Sequence, residues 1–303
     1  MESGGLVSLN YAMITGASID PMEKKPLYHF MPGSSILSIG TFGCNMGCSF
    51  CQNWEISQSN SGGTYVEPEA LAELAQKYQS QSVGVAYTYS EPSVWYDYVL
   101  ECAVMVKAAG LCNVLVTNGF INPEPLIDLL PFIDAMNVDL KSIHDQFYRD
   151  ICKARLQPVL DTIRLAVEKG CHVELTTLVI PGMNDSADEI DKLAAWVAGL
   201  SREIPLHLSR YFPCHKLDVE QTPIATLKSC AGVARTHLDY VYIGNAATTG
   251  GSDTLCPRCG TLLIERRGFA RPEVHVDTPA CPACGLPVPL VLCTGNGATR
   301  PNN

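Results

Sequence analysis

Along most of the chain, short apolar runs alternate with amphipathic stretches, so the hydrophobic period switches repeatedly between two and about 3.6 residues. The apolar runs predict strands over 36–41, 82–89, 113–117, 133–140, 171–180 and 205–212, with a further short one at 239–243. Helical spacing predicts helices over 67–78, 92–109, 123–130, 144–169, 185–200 and 223–236; a proline stands near the start of the second. Strands separated by helices make right-handed βαβ units and a parallel sheet. Six such units are too few for an eight-stranded barrel, so the expected α/β fold is a partial, open (β/α)6 TIM-like barrel over 36–250. Residues 1–35 are loosely patterned, contain Pro26, Pro32 and Gly33, and read as a lead-in or flap.

Alternation within the strands separates two faces. Met136, Val138 and Leu140 should pack on helices, leaving Asn137, Asp139 and Lys141 to face inward. By the same rule His172, Glu174 and Thr176 face inward from the fifth strand, and His207, Ser209 and Tyr211 from the sixth. Parallel barrels usually fill this space with branched apolar residues. Polar positions on three successive strands therefore suggest a ligand-filled lumen, against the alternative of a mutually satisfied buried network.

Composition narrows the class. At 303 residues, 47% apolar and 17% charged, the chain can bury a full core. No apolar stretch approaches a membrane span, and the start lacks a basic-then-apolar leader. A net charge of −10 argues against nucleic-acid partners. Fourteen cysteines without a leader point to a reducing, cytoplasmic setting and to metal chemistry.

Three of them, Cys44, Cys48 and Cys51, follow the first barrel strand with the spacing C-x3-C-x2-C. Three thiolates on a cubane 4Fe–4S cluster leave one iron without a protein ligand, an open catalytic position. A structural zinc site would want four donors. From about 251 the composition changes, and Cys256-Pro-Arg-Cys259-Gly and Cys281-Pro-Ala-Cys284-Gly form two knuckles. These predict a small zinc-ribbon or rubredoxin-like module over 251–303, holding zinc or iron as its staple. Cys293 is a spare ligand for it; Cys102, Cys112, Cys152, Cys171, Cys214 and Cys230 read chiefly as small buried hydrophobes, Cys214 also as a weak candidate at the substrate.

Phe50 directly before the last thiolate completes a loop that resembles the radical S-adenosylmethionine (SAM) enzymes. The resemblance implies SAM chelated to the open iron and cleaved reductively to methionine and a 5′-deoxyadenosyl radical. Further segments resemble the pyruvate formate-lyase activating enzymes. Asn53 matches their Cys-x-Asn extension, and Thr88-Tyr89-Ser90-Glu91-Pro92 stands where they have Gly-Gly-Glu-Pro, whose backbone receives the SAM amino group. Tyr89 and Ser90 replace the two glycines. Thr117-Asn118-Gly119 and Asp139-Leu140-Lys141 match strand ends lying beside SAM, and Val179-Ile180-Pro181-Gly182 resembles the turn near its adenine. Val116 stands where those enzymes carry an Asp of a cation site, and Phe212 where they carry a His.

The overall order is most similar to the AmmeMemoRadiSam system radical SAM enzymes. The likeness runs through Asp20–Leu27, Cys51–Gln58, Tyr87–Pro92, Leu206–Tyr211, Tyr242–Asn245 and the cysteine knuckles. Members usually carry a further cysteine-bearing segment before the counterpart of Gly5. The expected activity is hydrogen abstraction from a substrate that the sequence does not name, with a protein favoured over a small molecule. The expected electron donor is a reduced flavodoxin or ferredoxin. Two other readings are a small-molecule radical SAM transformase and a non-catalytic iron–sulfur and zinc scaffold that binds a partner or senses redox state. Trp54 is expected to pack over the iron.

Overall fold

The apolar runs assemble into one eight-stranded sheet in the computed structural model, which describes residues 8–60, 62–246, 250–268, 270–294 and 297–299. Its strands in chain order are β1 (Gly16–Pro21), β2 (Ser35–Gly40), β3 (Gly84–Tyr87), β4 (Cys112–Thr117), β5 (Ala135–Asp139), β6 (His172–Val179), β7 (Leu206–Arg210) and β8 (Val241–Gly244). From β2 to β8 each strand pairs in parallel with the next, while β1 runs antiparallel along β2. The edge strands β1 and β8 do not pair with each other, so the barrel stays open. Helices α1 (Pro68–Lys77), α2 (Tyr96–Ala108), α3 (Pro123–Leu129), α4 (Leu156–Glu168), α5 (Ala187–Ala198) and α6 (Ile224–Ala234) are the crossovers. The short run at 239–243 thus gives a seventh parallel strand after six βα units.

Two apolar cores follow from the alternation. The outward set, including Met136, Val138, Leu140, Leu206 and Leu208, packs with helix residues such as Val99, Val159 and Leu193. The inward set, Ile36, Ala86, Val114 and Ala135, packs instead on Met22, Leu27, Phe30 and Met31. The lead-in is therefore not a loose flap. It contributes β1, and residues 22–31 fill the barrel base; the first seven residues lie outside the described ones.

This plug corrects the expectation of a ligand-filled lumen for its lower half. The Glu174 carboxylate is fully buried and accepts four hydrogen bonds: from the Tyr28 and His29 amides (2.9 and 2.7 Å) and from His172 and His207 Nε2 (3.1 and 2.7 Å). Asn137 donates to the Pro26 carbonyl (2.8 Å) and accepts from Thr176 (2.9 Å). Tyr211 is likewise enclosed in the outer core, its hydroxyl donated to the Leu217 carbonyl. Five inward residues, Asn137, His172, Glu174, Thr176 and His207, are thereby spent on the protein's own chain, the satisfied network that was the alternative.

A second difference concerns the helix expected over 144–169. A short turn from Asp145 passes into a π-turn at Tyr148–Cys152, Lys153 is left-handed (φ 58°), and α4 begins at Leu156. Asp145 bridges the break by accepting the Leu156 amide at 2.9 Å. The Ile151 and Cys152 carbonyls accept the Ser49 and Gly47 amides (3.0 and 2.8 Å), so the interruption docks the cysteine loop. Apolar spacing continues across the gap, which hides it from periodicity.

The tail has a three-stranded sheet (Thr254–Leu255, Leu262–Glu265, Glu273–Val274) and a small core around Leu263, Ile264, Val288 and Leu290. Arg266 fastens it to the barrel base. Its guanidinium donates to the Ser252 and Tyr28 carbonyls and to Thr254 (3.0, 2.6 and 2.8 Å) and lies 4.1 Å from the Tyr28 ring centre. His29 is fully buried and bonds Tyr242, which in turn bonds Thr254 (2.6 and 2.9 Å); burial pushes its imidazole down to about 3, so it stays neutral.

Burial pushes the Glu174 carboxyl upward, but the bonds and charges of His172 and His207 outweigh it and hold the pKa well below the usual range. A carboxyl depressed in the folded state stabilises fully above the unfolded value, about 4.3, and loses that stabilisation as pH falls toward the folded one. Glu174→Gln should therefore cost about 3–5 kcal/mol near neutral pH, measured by urea denaturation. The loss should shrink below about pH 4; an equal loss at acid and neutral pH would contradict the assignment.

Candidate active site at the barrel mouth

The cysteine loop leaves β2 at the carboxyl ends of the strands, where parallel barrels place their chemistry. Buried Met46 and Phe50 anchor it, and Phe50 meets Phe147 at 6.2 Å. Gly43 donates to the Ile56 carbonyl, and Lys216, beyond β7, donates to the Ser49 carbonyl (2.8 and 2.9 Å). Trp54 is not buried over the loop as expected; it is 41% exposed and stacks on His215. Cys214 donates to the Cys51 carbonyl at 3.5 Å.

Two of the thiols meet a polar hydrogen from elsewhere. Cys44 accepts the Met46 amide (3.4 Å) and Asn118 Nδ2 (3.5 Å), and Cys51 lies 3.2 Å from the Ser57 hydroxyl. Buried Cys152 stands next to Cys48 in the fold, its carbonyl accepting the Gly47 amide at 2.8 Å. Burial pushes the Cys44 thiol up to about 12, with the Glu91 charge adding to it, and burial also raises Cys51. The neighbouring Cys152 thiol, aided by the Lys141 charge, holds Cys48 below the ordinary thiol range.

Glu91 lies at the centre of the mouth, almost fully buried. It accepts from Thr117 Oγ1, the Asn118 amide and the Ser93 amide (2.7, 2.8 and 3.0 Å). Its pKa is raised by burial, which these bonds partly offset. The carboxylate is thus committed to joining β3 to β4, and Asn118 carries the link on to Cys44 and to Asn45 Oδ1 (2.9 Å). Tyr89 keeps a positive φ of 70°, the backbone a glycine would favour. Its hydroxyl donates to Asp20 (2.6 Å), Lys25 lies over its ring, and its carbonyl accepts Asn53 Nδ2 (2.5 Å). Ser90 donates to the Thr41 carbonyl at 2.7 Å. Gly40 faces this turn; a Cβ there would stand 2.6 Å from the Thr88 carbonyl oxygen.

Asp139 and Lys141 emerge from β5 on one side, paired at 2.8 Å, with the Lys141 ammonium 5.7 Å from the Phe50 ring centre. Burial works against that ammonium, but Asp139 and the Cys48 and Cys152 sulfurs outweigh it and hold its pKa well above the usual lysine value. Asn184 was not singled out by sequence, yet it is buried and donates to the Lys141 and Leu178 carbonyls (2.7 and 2.9 Å) while accepting the Ile180 amide. Its position after Pro181-Gly182 is the readable signal, a turn residue beside a glycine with positive φ. Ser57, Asn45 and Asp20 are the other residues that sequence reasoning missed.

The donor set distinguishes two kinds of metal centre. Cys256, Cys259, Cys281 and Cys284 bring their sulfurs within 4.8 Å of one another, as one tetrahedral ion requires; exposed Cys293 is not among them. Among the described residues, Cys44, Cys48 and Cys51 form no such group. Thiolates of a polynuclear cluster bind separate metal atoms and need not converge on one point. Thr41 and Ser49 also carry buried hydroxyl oxygens without partners beside this loop. Three thiols of one loop, two of them hydrogen-bonded by neighbouring polar groups, fit an anionic cluster.

A partial parallel barrel with a three-cysteine loop at its carboxyl end is the architecture that these elements build. Residues 38–197 match the Radical SAM superfamily, and the chain belongs to it. Membership implies an iron–sulfur cluster and SAM as cofactors. The chain is 42% identical over 298 residues to the uncharacterized protein MJ0808 of Methanocaldococcus jannaschii, covering 96% of this chain and 88% of that one. It is 25% identical over 181 residues to the pyruvate formate-lyase 1-activating enzyme of Escherichia coli K12, covering 58% and 72%. Streptococcus suis SuiB bound to S-adenosylmethionine shares the fold, with a TM-score of 0.56 and 12% identity over 72% of this chain and 50% of that one. No described helix is long and apolar enough to cross a membrane.

The tail group predicts one zinc or iron ion per chain, measured by metal analysis. Replacing Cys259 and Cys281 together with Ser should remove that ion and leave the barrel's iron–sulfur absorbance unchanged. An unchanged metal count in the double variant would refute the ligand set.

Proposed function

We propose that the chain holds a 4Fe–4S cluster on Cys44, Cys48 and Cys51 and cleaves SAM there reductively to initiate hydrogen abstraction from a protein substrate. The observation that carries this reading is the mouth itself, where three thiols of one loop lie beside the Asp139–Lys141 charged pair. When bound, the cluster supplies the electron that splits the sulfonium, giving methionine and a 5′-deoxyadenosyl radical. The protein's own task is to position SAM and keep water from the radical. The turn at Thr88–Ser90 offers backbone groups to the SAM amino group, and Lys141 offers a charge-assisted bond to its carboxylate. Asp139 would accept from the ribose, and Thr117 and Asn118 fix the neighbouring strand end. Phe50 supports the Lys141 side chain, and Asn53 holds the turn through the Tyr89 carbonyl.

A protein substrate is supported by the rim. Trp54, Met183 and Phe212, on loops beyond β2, β6 and β7, are 41, 37 and 36% exposed. Apolar side chains exposed around a reactive mouth suit contact with another macromolecule. The electron donor would be a reduced flavodoxin or ferredoxin in the cytoplasm, and the tail metal a structural staple apart from the chemistry. The glycine replacements at Tyr89 and Ser90 are the main feature favouring a non-catalytic scaffold, and the positive φ of Tyr89 weakens that reading.

Anaerobic reconstitution with SAM and dithionite should yield 5′-deoxyadenosine. A yield no higher than that of Cys48→Ala would sink the proposal. Losing the Lys141 contact should weaken SAM binding by about 1.5–3 kcal/mol, so Lys141→Ala should raise the SAM Kd by about 10-fold or more. Cluster content should be unaffected; unchanged SAM affinity, or loss of the cluster, would show that Lys141 does something else.

A further inference from the structure

We propose that Ser57, together with Asn118, is a positioning residue that sets the reduction potential of the cluster by donating a side-chain hydrogen bond to a ligating sulfur. This rests on the cluster assignment above and goes beyond it, because Ser57 belongs neither to the thiolate motif nor to the SAM contacts. The two donors come from separate elements. Ser57 ends the helical turn after the loop and lies 3.2 Å from the Cys51 sulfur. Asn118 follows β4 and lies 3.5 Å from the Cys44 sulfur.

Both are enclosed: Ser57 is 5% exposed and Asn118 6%. A donor shut away from water cannot turn to solvent, so its hydrogen bond persists in a medium where such bonds are strong. Reduction adds negative charge that is shared with the ligating sulfurs. A hydrogen bond to sulfur therefore favours the reduced form and raises the potential.

The test is a potentiometric titration of the anaerobically reconstituted protein, followed by electron paramagnetic resonance, with iron and sulfide content measured alongside. Ser57→Ala should lower the ratio of reduced to oxidised cluster at a fixed potential by about threefold, roughly 28 mV at 59 mV per tenfold. Ser57→Thr, which keeps a donor, should restore most of it. Cys102→Ala, in buried α2, is the control for a merely structural effect and should titrate with the parent. Full cluster content with a Ser57→Ala potential equal to the parent's would overturn the proposal. A parent chain that assembles no cluster would overturn the cluster assignment itself, an outcome separable from an unshifted potential.

Discussion

Glu174 is the constraint on which the barrel depends. A buried carboxylate is costly unless its lone pairs are filled, and here two backbone amides and two imidazoles fill them. The amides belong to Tyr28 and His29, so satisfying the charge means drawing the lead-in into the barrel. Once there, Leu27 and Phe30 complete an inner core that the small inward residues Ala86 and Ala135 leave room for. The same segment reaches the tail through His29, Tyr242 and Thr254 and through Arg266, which stacks on Tyr28. One charge at the base thus organises three parts of the chain.

A second buried carboxylate, Glu91, organises the opposite end. It holds the ends of β3 and β4 together, and Asn118 passes that restraint to the loop at Asn45 and Cys44. The nearby turn is crowded by Gly40 and held by Asp20 through Tyr89, so its backbone is fixed before any ligand arrives. Asp20 lies on β1 and also pairs with Lys25 at 2.8 Å. The edge strand therefore links the plug at the base to the turn at the mouth. Preorganisation of this kind is what holding a reactive intermediate requires.

Base and mouth differ in how their polar groups are used. At the base the Glu174 carboxylate has all its partners within the protein, while His29 Nδ1 and Arg266 Nε are buried without one. At the mouth Asp139 stays 38% exposed and apolar side chains line the rim. Exposed charge and apolar surface thus lie at the mouth, where a ligand would enter.

Much of this was legible in the residues. Hydrophobic periodicity alone located all the barrel strands beyond β1, and every crossover helix but the interrupted α4, to within a few residues, because a parallel strand buried on both sides has a pattern that little else shares. The two cysteine motifs and the inward direction of Asp139 and Lys141 were equally readable, since thiolate count and strand alternation are local properties. The tertiary structure alone decided which inward polar residues face a site. Glu174 and Asp139 are indistinguishable by alternation, and only the lead-in folding over one of them separates a structural charge from an available one. It also decided where the helix breaks, since the carbonyls at Ile151 and Cys152 are freed to meet amides a hundred residues away in sequence. Period and composition are fixed by neighbours along the chain; what a buried polar group touches depends on segments that become neighbours only when the chain folds.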